Sequence, residues 1–153
     1  IDVITYEDKR FYYCNCKTLN LIPSCLAATA ADRAGCQEAI FHRGDLVTEC
    51  AHSNVSIFKD GKVITHQLDD KVLPGTARIR LLAFAKKLGY GVEERDYTLD
   101  ELMNADEIIV HSTGSFCIPV KTVDGKPVGG KAPEMLKTIQ DALVKDFEEQ
   151  CKA

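Results

Sequence analysis

No apolar run in the 153-residue sequence approaches the length of a membrane span. The longest, such as Leu81–Ala85 and Ile108–Val110, fall far short of the roughly 20 residues that a spanning helix needs. No basic segment followed by an apolar stretch is visible either, so neither a membrane partner nor an export signal is expected. Basic charge is not in excess: Lys+Arg 19 against Asp+Glu 23 leaves a net charge of −4. With no basic cluster, nucleic acid is not expected as the main partner. The cysteines and histidines show no CxxC, HxxxH or HExxH spacing, so no metal site is expected. Internal repeats, low-complexity segments and linkers are absent as well, which predicts a single domain over residues 1–153.

What is present has the balance of a globular chain, 45% hydrophobic and 27% charged. Seven cysteines, an odd number in a chain long enough to need no staples, predict free thiols and a reducing, cytoplasmic compartment. The chain opens at Ile1 on a polar, strand-like stretch with no obvious partner, the mark of a fragment or a processed chain.

The hydrophobic pattern switches repeatedly between periods of 2 and 3.6. A strand is predicted over Arg10–Leu19, rich in aromatics and Thr, and a helix over Asn20–Ala34 with an Ala-rich face and Gly35 as its stop. Strands follow at Glu38–His42, Leu46–Glu49, Val55–Lys59 and Lys62–His66, the last two joined by the hairpin signal Asp60-Gly61. Pro74-Gly75-Thr76 opens a helix to about Leu88. Val92–Tyr97 reads as a strand, and Thr98-Leu-Asp-Glu101 as a capping box opening a short helix. Strands at Glu107–His111, Ile118–Val123 and Lys126–Val128 precede a final helix from Pro133. The fold class is α/β (or α+β), a mixed, mostly antiparallel sheet or barrel with flanking helices.

Three places could carry chemistry. Lys17, among apolar neighbours just before a helix, is either a solvated surface charge or an amine that desolvation fits to attack a carbonyl and form a Schiff base. Glu49, ending one strand ahead of the polar loop Cys50-Ala51-His52-Ser53, is either an edge charge or a group that bonds a ligand's basic nitrogen. Leu73-Pro74-Gly75-Thr76-Ala77-Arg78 feeds a helix N-terminus whose free N–H groups can cradle a phosphate, and Ser112-Thr113 adds hydroxyls of the same kind. Singly, each is common in proteins that bind nothing. Together, an imine-forming lysine, a carboxylate and a phosphate cradle are what pyridoxal 5'-phosphate requires.

With these residues in place the chain resembles the class IV pyridoxal-phosphate aminotransferases, and within them the D-amino-acid type. The resemblance rests on Arg10, Lys17-Thr-Leu-Asn20, Glu38-Ala-Ile-Phe-His-Arg-Gly-Asp45, Thr48-Glu49, Ser53-Asn54, Asp60-Gly61, Leu73-Pro-Gly75, Arg78, Thr98-Leu-Asp-Glu101, Ala105-Asp-Glu107 and Asp124-Gly125. It implies the larger C-terminal, cofactor-binding domain of that fold, with the family's small N-terminal domain outside this chain. It implies Lys17 as Schiff-base lysine and proton-transfer base, Glu49 on the pyridine nitrogen and Leu73 against the ring. Gly75, Thr76, Ala77, Ser112 and Thr113 would lie at the phosphate, with Arg10 close to the site. The implied reaction is transamination between a D-amino acid of the D-alanine type and a 2-oxo acid, in a homodimer. A branched-chain L-amino-acid aminotransferase, an aminodeoxychorismate lyase, or a cofactor-binding fragment without turnover are the alternatives. Two features depart from the family pattern: Cys50-Ala51-His52 where Gly and serines are usual, and Ala77 where a hydroxyl is usual.

Overall fold

Local signals account for most of the elements. The computed structural model describes residues 1–152. After β1 (Asp2–Glu7) comes α1 (Ile22–Arg33), with Pro23 tolerated in its first turn and Gly35, at φ 74°, stopping it. Four strands follow: β2 (Glu38–Arg43), β3 (Leu46–Cys50), β4 (Asn54–Lys59) and β5 (Lys62–Thr65). Asp60 and Gly61 both adopt positive φ, 49° and 73°, the requirement of the tight turn that joins β4 to β5. Then come α2 (Thr76–Lys87), β6 (Gly91–Glu94), α3 (Leu99–Met103), β7 (Glu107–Ser112), β8 (Ser115–Pro119), β9 (Thr122–Val123), β10 (Lys126–Pro127) and α4 (Pro133–Cys151). The capping box forms as the sequence predicts: Thr98 Oγ1 accepts from Glu101 N, and the Glu101 carboxylate accepts from Thr98 N.

The strands assemble into two five-stranded sheets, in the orders β10-β9-β1-β2-β3 and β6-β5-β4-β7-β8. Both are mixed. The β1–β2, β1–β9 and β5–β6 pairs are parallel, and the other pairs are antiparallel. The architecture is thus α/β with mixed, mostly antiparallel sheets, and these are two open sheets rather than a closed barrel. Val3, Ile40 and Val47 of the first sheet meet Val55, Ile57, Ile64, Ile108 and Val110 of the second, with Tyr97 and Leu102 closing one end of this core. On the outer face of the first sheet, Ala27 and Ala31 of α1 pack on Ala39 and Phe41, so the Ala-rich face works as expected. On the outer face of the second, Leu81, Leu82 and Ala85 of α2 and Ile139 and Leu143 of α4 cover Phe58, Val63 and Ile109. The order of layers is therefore helix, sheet, sheet, helices.

Three strand predictions require correction. Residues 10–19 form no strand: Tyr13 sits at φ 78°, Cys16 N turns back onto the Tyr13 carbonyl, and the segment from 8 to 21 runs irregularly over the surface. Its aromatic and Thr content imitates strand composition, but it pairs with no strand. The strand is instead β1, whose partners are β2 and β9. The predicted strand Val92–Tyr97 ends early, β6 stopping at Glu94. Ile118–Val123 is divided between the sheets: β8 ends at Pro119, Val120 N bonds the Ile108 carbonyl, Lys121 N bonds the Ile1 carbonyl, and β9 joins the first sheet. No helix among the described residues is long and apolar enough to cross a membrane.

Candidate active site

A cleft of about 670 Å³ opens where the irregular segment after β1, the ends of β3 and β7, and the start of α2 come together. The residues that the resemblance places at the site line it: Arg10, Lys17, Glu49, Leu73, Gly75, Thr76, Ala77, Ser112 and Thr113. Cys50 and His52 of the loop after β3 line it too.

Glu49 is the most firmly held of these. Its side chain is buried at the end of β3, and Oε1 accepts from Arg10 Nη1 at 2.5 Å. Oε2 accepts from Asn54 Nδ2 at 2.9 Å and from the Leu73 N–H at 3.0 Å. Burial raises the pKa of this carboxyl, and the Arg10 charge and the Leu73 N–H offset that only in part. Arg10 is itself fixed on every side. Nε and Nη2 donate to the two oxygens of Asp8, Nη2 also reaches the Lys71 carbonyl, and the guanidinium lies 4.5 Å from the centroid of Phe41. Burial opposes the Arg10 charge, but Asp8 and Glu49 outweigh it and hold the group protonated. Asp8 also accepts from Arg43 Nε at 3.0 Å and from Thr48 Oγ1. Although burial disfavours its charge, these two arginines bring its pKa below the ordinary value. Arg10 therefore acts on Glu49, its Nη1 directed at that carboxylate while its other nitrogens are held by Asp8 and Lys71.

Lys17 stands apart from this network. It lies exposed in the irregular segment, not at the end of a strand, and has no hydrogen bond or ion pair among the described residues. Across the cleft, Gly75 caps α2. A Cβ added there would lie 2.2 Å from Asn54 Oδ1, so glycine is the residue that leaves room for the amide holding Glu49. The N–H groups of the first turn of α2, at Thr76 and Ala77, have no intrahelical acceptor. Thr76 Oγ1 faces Thr113 Oγ1 at 3.2 Å, so the helix start and the β7–β8 turn place their hydroxyls together. Arg78, buried beneath, ties α2 to the His66 carbonyl and to Glu94.

Residues 3–123 match the model of amino-transferase class IV. The chain belongs to that family. It is 41% identical over 150 residues to the D-alanine aminotransferase of Listeria monocytogenes serotype 4b (strain F2365), covering 97% of this chain and 52% of that protein. Among solved structures, the branched-chain amino acid aminotransferase of Escherichia coli superposes with a TM-score of 0.83 at 29% identity, over 94% of this chain and 50% of that one. A second branched-chain amino acid aminotransferase, from T.th. and solved with pyridoxamine 5'-phosphate, gives the same TM-score and identity over 93% of this chain and 50% of that one. This class IV chain thus spans about half the length of the relatives it matches.

Asp8, behind the cleft, and His111, in its wall, gave no signal in the sequence, whereas Asn54 entered only within the resemblance and Cys50 and His52 only as departures from the family pattern. Asp8 organises both arginines, yet it reads as an ordinary acidic residue before a basic one. Asn54 heads a glycosylation-like Asn-Val-Ser triplet, but its side chain is buried and spans Glu49 and the Leu73 carbonyl. His111 lines the cleft as a fully buried histidine at the end of β7. His52 projects from the rim, its Nδ1 3.3 Å from the buried Glu38 carboxylate, which also accepts from Ser53 Oγ. Cys50 is buried beside Glu49, and desolvation pushes its thiol pKa far up, with Glu38 and Glu49 adding to the effect. Outside the cleft, the buried His66 faces Asp69 and Asp96 at 3.2 and 3.5 Å while Lys71 binds Asp69, an ion-paired cluster that fastens the segment leading to Leu73.

Proposed function

We propose that this chain is the cofactor-binding part of a pyridoxal-phosphate aminotransferase that exchanges the amino group of a D-amino acid, of the D-alanine type, with a 2-oxo acid. The observation that carries the reading is the convergence of Lys17, Glu49, Leu73 and the α2 N-terminus on one cleft. The residues present fit the cofactor. A carboxylate offers about four acceptor positions and Glu49 uses three, which leaves one for a pyridine N–H. The free N–H groups of Thr76 and Ala77, with the hydroxyls of Ser112, Thr113 and Thr76, suit a phosphate.

Pyridoxal phosphate, when bound, supplies a ring that withdraws electrons from the substrate Cα. The remaining work belongs to the chain's own side chains. The Lys17 amine anchors the cofactor through its aldehyde carbon and moves the proton at the substrate Cα. Glu49, held by Arg10, keeps a proton at the pyridine nitrogen. Leu73 packs on the ring, and the α2 start with Ser112 and Thr113 grips the phosphate. A homodimer and cytoplasmic residence belong to the same proposal. Exposed Phe11, Tyr12, Leu19 and Leu21 along the cleft rim support a further surface covering it.

The likeness to branched-chain enzymes at 29% identity favours a second reading, an L-amino-acid substrate on the same cofactor site. One spectrum separates them. A visible band should appear with pyridoxal phosphate, be absent in Lys17→Ala, and bleach with D-alanine but not with L-leucine. Bleaching by L-leucine alone moves the assignment to the branched-chain reading. A band that survives in Lys17→Ala, or none in the native protein, overturns both.

A further inference from the structure

His111 is the last residue but one of β7, and its ring lies fully buried in the cleft wall beside Ser112 and Thr113. Its Nε2 pairs with Ser56 Oγ at 2.9 Å, while its Nδ1 has no hydrogen-bond partner. Among the described residues only one other buried side-chain atom is left in that state, the Tyr97 hydroxyl, which lies in the core between the sheets and away from the cleft. An unsatisfied buried polar atom is costly to leave without a partner, so it calls for an explanation at the place where it occurs. That place is where donors already gather. The first turn of α2 offers free N–H groups, the Thr76 and Thr113 hydroxyls face each other, and Ala77, one position into the helix, brings no hydroxyl of its own. Burial, with Arg78 nearby adding to it, holds the imidazole pKa down to about 3, so the ring is neutral at physiological pH. In the tautomer where Ser56 Oγ donates to Nε2, the neutral ring carries its one proton on Nδ1, and this is the tautomer we assign.

Resting on the proposed cofactor reading, we propose that His111 Nδ1–H is a further donor to a phosphate monoester seated at the start of α2. Nδ1 has no exposed surface of its own, so the proposed bond requires the ring to turn toward the cleft. The donor adds hydrogen-bonding capacity without adding charge. It serves the phosphate and not the ring or the amino acid, and so sets affinity for the phosphorylated form of the ligand alone.

The test uses two substitutions that keep a polar amide in the same space. His111→Asn places an N–H close to the position of Nδ1, and His111→Gln places one close to that of Nε2. Affinities of the native protein and both variants are measured calorimetrically for pyridoxine 5'-phosphate, which has no aldehyde, and for pyridoxal, which has no phosphate. The expected result is a loss of about tenfold or more in affinity for pyridoxine 5'-phosphate in His111→Gln, near-native affinity in His111→Asn, and unchanged affinity for pyridoxal in both. In native protein labelled with nitrogen-15, pyridoxine 5'-phosphate should shift the His111 Nδ1 resonance. Equal affinity in the two variants, an equal loss for pyridoxal, or native protein that fails to bind pyridoxine 5'-phosphate overturns the role of His111. The wider reading fails separately, by the absence of a Lys17-dependent visible band.

Discussion

At the scale of single residues, the cleft depends on a carboxylate that never touches its interior. Asp8 is buried and takes hydrogen bonds from Arg10, Arg43 and Thr48. Arg10 in turn fixes Glu49. Removing one partner of a buried charge network leaves the others uncompensated, so Asp8→Asn should cost about 3–5 kcal/mol at neutral pH. The pH dependence has a definite sign. The folded-state pKa of Asp8 lies below the ordinary 3.8, because the paired arginines outweigh burial. The folded protein therefore binds fewer protons here than the unfolded one, and the contribution is fully present above about pH 4. It is lost as pH falls from there through the folded pKa. Thermal melts of native protein and Asp8→Asn between about pH 7 and about pH 2.5 should show a constant gap above about pH 4 that narrows below it. A gap independent of pH would assign the loss to packing rather than to ionisation.

At the scale of elements, what could be read in the sequence was what is decided locally. Asp60-Gly61 specifies its hairpin because both residues must take positive φ. Thr98 and Glu101 specify the start of α3 because they satisfy each other's backbone N–H. Thr98→Ala should accordingly lower stability by about 1 kcal/mol in urea denaturation with an unchanged m-value, since α3 closes one end of the core between the sheets through Leu102. Pairings set at a distance were not readable. Nothing in Asp2–Glu7 announces two parallel partners, and nothing in Ile118–Val123 announces that the chain leaves one sheet for the other. The segment from 8 to 21 misleads for the opposite reason, since its composition suits a strand but its backbone turns at Tyr13 and pairs with none. The site divides in the same way. Lys17, Glu49 and the α2 start carry their chemistry in residue type and local position. The support from Asp8 arises only when β1, β2 and β3 assemble, and that from Asn54 only when the two sheets meet.

At the scale of the whole molecule, the cleft is a joint between the two sheets. Glu49 comes from the first sheet, while Asn54, Ser112 and the helix α2 packed on the second supply the opposite wall. A ligand that binds only the assembled cleft must stabilise the association of the two sheets, by about 2.7 kcal/mol at one hundred times its dissociation constant. For a chain of this size, that corresponds to a rise in melting temperature of roughly 5–10 °C with pyridoxal phosphate. Ile57 offers an independent control, because it lies in the core between the sheets and does not line the cleft. Ile57→Ala should lower stability by about 2–5 kcal/mol through the cavity it leaves, yet keep the full ligand-induced rise. Lys17→Ala should do the reverse, melting close to the native temperature without ligand and losing much of the rise with it, since Lys17 is exposed and makes no contact on which folding depends. Differential scanning calorimetry of the three proteins, with and without ligand, decides the matter. If Ile57→Ala abolished the rise while Lys17→Ala kept it, the ligand would be acting on the core between the sheets and not on the cleft.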